Sequence, residues 1–171
     1  MLMHVGAKRI AIAGLLVAAS AVFLILSSVI ESNSLFLIAA ASFCVGIAIR
    51  EWGIGFGAGF LSASTLVNLM VAPNKFYCIS FAAMGLYLLL SECLCKKIMS
   101  IWMLWVGKYV IFNVIYIPAV LFFQELLFAR EVTGALLVVF LLAGQLALYV
   151  YDKAHLYFQN AIWGKLRVKV L

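Results

Sequence analysis

Apolar runs alternate with short polar interruptions along the whole chain, and six of the runs are long enough to predict helices. They cover 10–30 (IAIAGLLVAASAVFLILSSVI), 35–49 (LFLIAAASFCVGIAI), 53–72 (GIGFGAGFLSASTLVNLMVA), 76–95 (FYCISFAAMGLYLLLSECLC), 107–128 (GKYVIFNVIYIPAVLFFQELLF) and 132–151 (VTGALLVVFLLAGQLALYVY). Most reach the ~20 residues that an α-helix needs to cross a ~30 Å hydrocarbon layer. The second is short, and the pattern predicts that it extends into its neighbours or packs beneath them. A further apolar piece, 98–106 (IMSIWMLWV), precedes the fifth run. One helix over 98–128 would measure about 46 Å at ~1.5 Å per residue. The piece is therefore predicted to be an interfacial lead-in, with Trp102 and Trp105 at the membrane–water boundary where tryptophan concentrates. Residues 152–171 read as a basic tail. The interruptions leave no room for a soluble domain, so the prediction is all-α: one integral-membrane domain, 1–171, of six transmembrane helices.

Composition removes the soluble alternatives. Of 171 residues, 68% are hydrophobic and 11% charged, where a water-soluble chain carries about 25% charged residues. Lipid is the main solvent of such a chain. The positive charges then give an orientation. With the N-terminus inside, Lys8, Arg9, Arg50, Lys96, Lys97, Lys153, Lys165, Arg167 and Lys169 fall on the cytoplasmic side, against Lys75 and Arg130 outside. Lys108 lies near the inner start of the fifth helix and can reach the interface along its flexible stem. Both termini are thus expected to be cytoplasmic. The first run follows Lys8 and Arg9 as a signal peptide would, but it is too long for an h-region and no small-residue cleavage site follows it, so it is expected to stay as a helix. The net charge of +6 is accounted for by topology and anionic lipid, and no basic patch interleaved with aromatics points to nucleic acid.

The stretch EWGIGFGAGF places glycines at 53, 55, 57 and 59. A phosphate cradle would need a preceding strand and a helix N-terminus facing water, and a Walker loop would need Gly-Lys followed by Ser or Thr. Neither context is present in the sequence. Inside a membrane helix, Gly53-xxx-Gly57 and Gly55-xxx-Gly59 are small-xxx-small spacings that let backbones approach closely. Helical steps continue that face through Ser62 and Thr65 to Asn68, which predicts a polar lane turned towards protein or a cavity, because an amide against lipid is costly.

Other polar groups sort by depth. Asn68, Lys75, Gln124 and Glu125 gather near the outer ends and are the candidate substrate-binding set, in competition with an ordinary solvated rim. Glu92 and Lys108 near the inner ends are predicted to form a structural ion pair. Pro118 interrupts the fifth helix, and a proline there frees a carbonyl. Cys93-x-Cys95 supplies two ligands where a structural zinc site takes four, so no metal site is predicted. None of the local enzyme signatures HExxH, GxSxG or paired acids at helical spacing occurs, and neither histidine falls inside a predicted span; no catalytic residue and no cofactor are expected.

The first helix carries Gly14-xxx-Ala18 with Ala21 near the same side, and the chain contains in order EWG, APNK, GLY, a lysine, FN and YDKA: Glu51-Trp52-Gly53, Pro73 and Lys75, Gly85 and Tyr87, Lys108, Phe112-Asn113, and Tyr151-Asp152. The small residues are similar to the AxxxA pattern by which substrate-capture (S) components of energy-coupling factor transporters dock on their transmembrane coupling subunit. The ordered elements resemble small bacterial membrane proteins related to that group. The resemblance implies a six-helix plasma-membrane protein that holds a small solute, such as a vitamin or precursor, in an outward-facing pocket capped by the 31–34 and 73–75 connections. It implies docking through Gly14, Ala18 and Ala21 on a coupling subunit driven by two ABC-type ATPases, with ATP bound by the partners alone. Two other classes fit the same residues: a structural or regulatory subunit of a membrane complex, in which the glycines only pack helices, and a stand-alone secondary transporter. The last would be expected to show internal repeats and charged residues at mid-membrane, and no convincing repeat is found.

Overall fold

A computed structural model of the chain describes residues 2–98, 100–122 and 135–165. Every regular element among them is helical: α1 (Leu2–Val29), a 3₁₀ turn (Glu31–Asn33), α2 (Ser34–Trp52), α3 (Ile54–Val71), α4 (Lys75–Lys97), α5 (Ile101–Phe122) and α6 (Ala135–Tyr157), which runs on into a π-helical segment, Phe158–Trp163. Five of them, α1 to α5, are long and apolar enough to cross a membrane. The protein is thus an all-helical chain of membrane-protein character.

Two predicted boundaries are corrected. Residues 101–106 are the first turns of α5 and not a separate lead-in; a continuous apolar surface lets the helix run from the tryptophans onward. The expected tail at 152–171 begins as helix, because Asp152, His155, Gln159 and Trp163 recur at helical spacing as a buried stripe. The span expected at 107–128 also extends past Phe122, outside the described residues.

The chain divides into two compact units, Met1–Glu92 and Cys93–Leu171, where a single domain was expected. In the first, α1, α2 and α3 pack on one another. Its centre is α2, whose residues from Ala41 to Ile49 are all buried, so the short second run does lie beneath its neighbours. From α1, Ile12, Leu16, Ser20, Leu24 and Ser27 enter this core at steps of three and four; from α3, Gly57, Phe60, Ser64 and Asn68 do the same. The middle of α4 joins them through Gly85, where a Cβ would meet Leu61 of α3 and lie 3.4 Å from Val45 of α2.

The buried serines explain how hydroxyls are tolerated in this core. Ser20, Ser27, Ser42 and Ser64 each donate to the carbonyl three residues back in their own helix, at 2.6–3.1 Å. An O–H satisfied locally has no desolvation penalty left to relieve elsewhere.

In the second unit α5 and α6 pair in antiparallel order. Lys108 meets Asp152, Asn113 meets Gln145 and Tyr116 meets Phe140 in succession. Gly144 leaves the space that the Tyr116 ring occupies.

Candidate functional site

The α3–α4 connection is built by three neighbouring residues. Ala72 ends α3 in an extended conformation, and Pro73 follows. Asn74 then caps α4: its Oδ1 accepts the N–H of Phe76 at 3.0 Å, satisfying one of the free amides of a helix start. Lys75 folds back over the end of α3 and donates to the carbonyls of Leu69 and, at 3.1 Å, of Ala72. Those carbonyls are acceptors without intrahelical donors at the negative end of the helix dipole, which suits an ammonium.

Beside this connection lies an open cavity of about 500 Å³, lined by Ser28 of α1 with Pro73, Asn74, Lys75, Phe76 and Tyr77. Lys75 is therefore both a helix cap and, among the described residues, the one charged group on the cavity wall. Of the two described residues predicted to bind substrate, Asn68 and Lys75, it is the one that lines this cavity. The sequence reading missed Asn74, Phe76 and Tyr77, although an Asn following a Pro and preceding an apolar run is a helix-start signal.

Asn68 is elsewhere. It is fully buried between α3 and α1, and its Nδ2 donates to Ser20 Oγ at 3.4 Å. Its Oδ1 has no hydrogen-bond partner among the described residues. Gln124 and Glu125 lie outside the described residues.

The glycine run divides by function. Gly53 is not inside a helix: it is the single residue between α2 and α3, at φ 88° and ψ 171°, a region open essentially to glycine alone. Its N–H donates to Ile49 O at 2.9 Å and its carbonyl accepts from Gly57 at 3.0 Å, so it closes one helix and opens the next. Gly57 is the close-packing glycine, since a Cβ there would press on Ile49, with the backbone Cα at 3.2 Å. Around Gly55 and Gly59 there is open space, and both are exposed with Ser62. The predicted lane from Gly55 to Asn68 is thus two faces: 55, 59 and 62 point outward, whereas Asn68 shares the buried face of Gly57.

Trp52 and Phe56 flank this joint and meet edge to face, 4.8 Å between centroids. The Arg9 guanidinium of α1 sits 4.0 Å from the Phe56 centroid and 5.7 Å from Trp52. A cation on two aromatic faces gains attraction without a carboxylate, and here it ties α1 to the α2–α3 joint.

On α1, Gly14 and Ala18 are exposed, whereas Ala21 is half-buried at the edge of the face that Leu16, Ser20 and Leu24 bury. Nothing described approaches within 4 Å of a Cβ built on Gly14.

The ion pair predicted between Glu92 and Lys108 is corrected. Lys108 Nζ bonds to Asp152 Oδ1 at 2.6 Å, both residues being buried. The partner comes from α6 because the antiparallel pairing brings Asp152 level with Lys108. Trp105 covers the ammonium at 5.5 Å and stacks on Tyr149 at 5.7 Å. One and a half turns along, Asn113 and Gln145 exchange two amide hydrogen bonds of 2.8 and 3.3 Å. Beyond Asp152, His155 and Gln159 are buried and 2.9 Å apart. No group of three or more His, Cys, Asp or Glu able to hold a metal is found among the described residues.

No protein-family model, curated protein or solved structure matches the chain.

Proposed function

We propose that the protein is a membrane-embedded solute-capture subunit of the energy-coupling factor type, which holds a small molecule and relies on a coupling subunit and two ABC-type ATPases for work. The observation that carries this reading is the cavity at the α3–α4 connection, where one lysine and three further polar side chains converge at the end of a largely apolar unit. Ligand sites are typically concave, mainly apolar, and furnished with a few placed polar groups. The orientation that goes with the reading puts both termini in the cytoplasm and this connection outside, with six spans in a bacterial plasma membrane.

Support for docking comes from α1. Its exposed Gly14 and Ala18 would let a partner helix approach the backbone closely. Gly14→Leu with Ala18→Leu is expected to abolish co-purification of a coupling subunit while leaving the fold of the chain intact. The decisive experiment is affinity purification from mild-detergent extracts of native membranes, with mass spectrometry of retained proteins and small molecules. A membrane partner with two ATPases supports the proposal; a stoichiometric complex without ATPases or solute overturns it.

A second reading, a structural subunit without ligand, is favoured by one observation. Asn68, the largest fully buried polar side chain among the described residues, packs against Ser20 and does not line the α3–α4 cavity.

A further inference from the structure

The chemistry of the α3–α4 cavity goes further and specifies what the captured solute carries, on the assumption that the cavity is the capture site. Each polar group on its wall can be assigned a used and an unused side. Lys75 has three N–H donors; two are directed at the Leu69 and Ala72 carbonyls, leaving one. Asn74 uses its oxygen on the Phe76 amide, which leaves its NH₂. No hydrogen bond ties the Tyr77 hydroxyl to another described residue. Ser28 already donates to the Leu24 carbonyl at 3.1 Å. What the wall presents is therefore mainly donors around one positive charge. Among the described residues no carboxylate lines it and none pairs with Lys75.

Such a wall selects against cations and against solutes that offer only donors, because either would leave the third N–H of Lys75 and the Asn74 NH₂ without acceptors at the cost of desolvating them. It suits an acceptor bearing negative charge. A charge-assisted hydrogen bond to an ammonium is also stronger than a neutral one. The N-terminal end of α4 borders the cavity and its dipole favours an anion, whereas the C-terminal ends of α3 and α1 border it too and act against one, so the preference rests on the Lys75 charge and the unused donors. Its remaining wall is Pro73 with the rings of Phe76 and Tyr77, and its volume of about 500 Å³ falls in the range of small-molecule sites.

We propose that the α3–α4 cavity binds a small organic anion, its carboxylate-like group on Lys75 with Asn74 and Tyr77 donating, and its apolar body against Pro73 and Phe76. Lys75 is pre-positioned for this by the end of α3, which holds the ammonium before any ligand arrives.

The test uses the full chain in mild detergent free of anionic lipid and follows the unfolding temperature. The probes are acetate, benzoate and inorganic phosphate, with benzamide and benzylamine as neutral and cationic counterparts of benzoate. A saturable rise of a few degrees with benzoate, absent with benzamide and benzylamine, is expected. Lys75→Met is expected to raise the half-saturating benzoate concentration by roughly tenfold or more, the equivalent of one charge-assisted bond. Because Lys75→Met also uncaps α3, Tyr77→Phe serves as the second variant: it removes one oxygen and should weaken the response while the unfolding temperature without ligand stays unchanged. An equal shift from benzamide, no shift from any of the three anions, or a benzoate response untouched in both variants overturns the inference. The source of the anion is read by repeating the titration in nanodiscs of phosphatidylcholine with and without phosphatidylglycerol. Loss of the benzoate response in phosphatidylglycerol assigns the cavity to a lipid headgroup, so the anion chemistry stands and solute capture at this site falls. If instead benzoate binds but no ATPase co-purifies, the anion site stands and the transporter assignment falls.

Discussion

Single glycines in EWGIGFGAGF differ in consequence by their surroundings. Gly57→Ala is expected to cost about 1–3 kcal/mol, since the new methyl presses on β-branched Ile49 and its backbone. Gly55→Ala and Gly59→Ala face open space, and thermal unfolding in detergent should find them unchanged or slightly more stable. Gly53→Ala should lose about 1–3 kcal/mol for a different reason, because its backbone conformation is strained for any residue with a Cβ. The spacing of the run was enough to foresee a close-packing glycine. It was not enough to say which, because a small-xxx-small repeat sets a period and not an azimuth, and the joint at Gly53 resets the count. The same holds for Asn68, whose burial was foreseen from cost alone while its partner Ser20, 48 residues away along the chain, left no mark in local pattern.

Between elements, the α5–α6 pair is joined by polar contacts of unequal weight. Asp152→Asn leaves the buried Lys108 ammonium without a countercharge, and a loss of about 3–5 kcal/mol is expected. The double replacement Lys108→Met with Asp152→Leu should recover most of it, which a double-mutant cycle of unfolding free energies would measure; a double variant no better than the single would show that the charges hold the pairing by more than mutual compensation. Asn113→Leu should cost less, about 0.6–1.7 kcal/mol, the range for hydrogen bonds between membrane helices. Helix existence was legible in all six runs because hydropathy records it directly. Ends were less so: 101–106 and 152–157 carry polar or aromatic residues that satisfy both an interface and a helix, and length alone argued wrongly for the former. Lys108 was seen to need a carboxylate, and Glu92 was chosen for its nearness along the chain. The antiparallel register that delivers Asp152 is a property of pairing and not of either sequence segment.

For the whole molecule, topology is the property most exposed to test. Single cysteines in a cysteine-free background should label from outside at Ser32, and only from inside at Lys153, since both residues are exposed. His155 is buried and would report nothing about sidedness. The reverse labelling pattern would also move the α3–α4 cavity to the cytoplasmic face and end its role in uptake from outside. The candidate site was half legible: Lys75 stood out as one of only two outer cations, with Arg130, whereas the ring and amide groups around it are ordinary residues made a candidate site by the turn that gathers them. A last consequence follows from the one-residue joint at Gly53. A connection without slack fixes the rotational phase of the helix after it, so one inserted residue would turn every α3 side chain by about 100° relative to α2. Gly57 would leave Ile49, Asn68 would swing away from Ser20, and the α3 carbonyls that hold Lys75 would be re-aimed; the shape of a cavity at one end of the unit is indexed by a single backbone angle at the other.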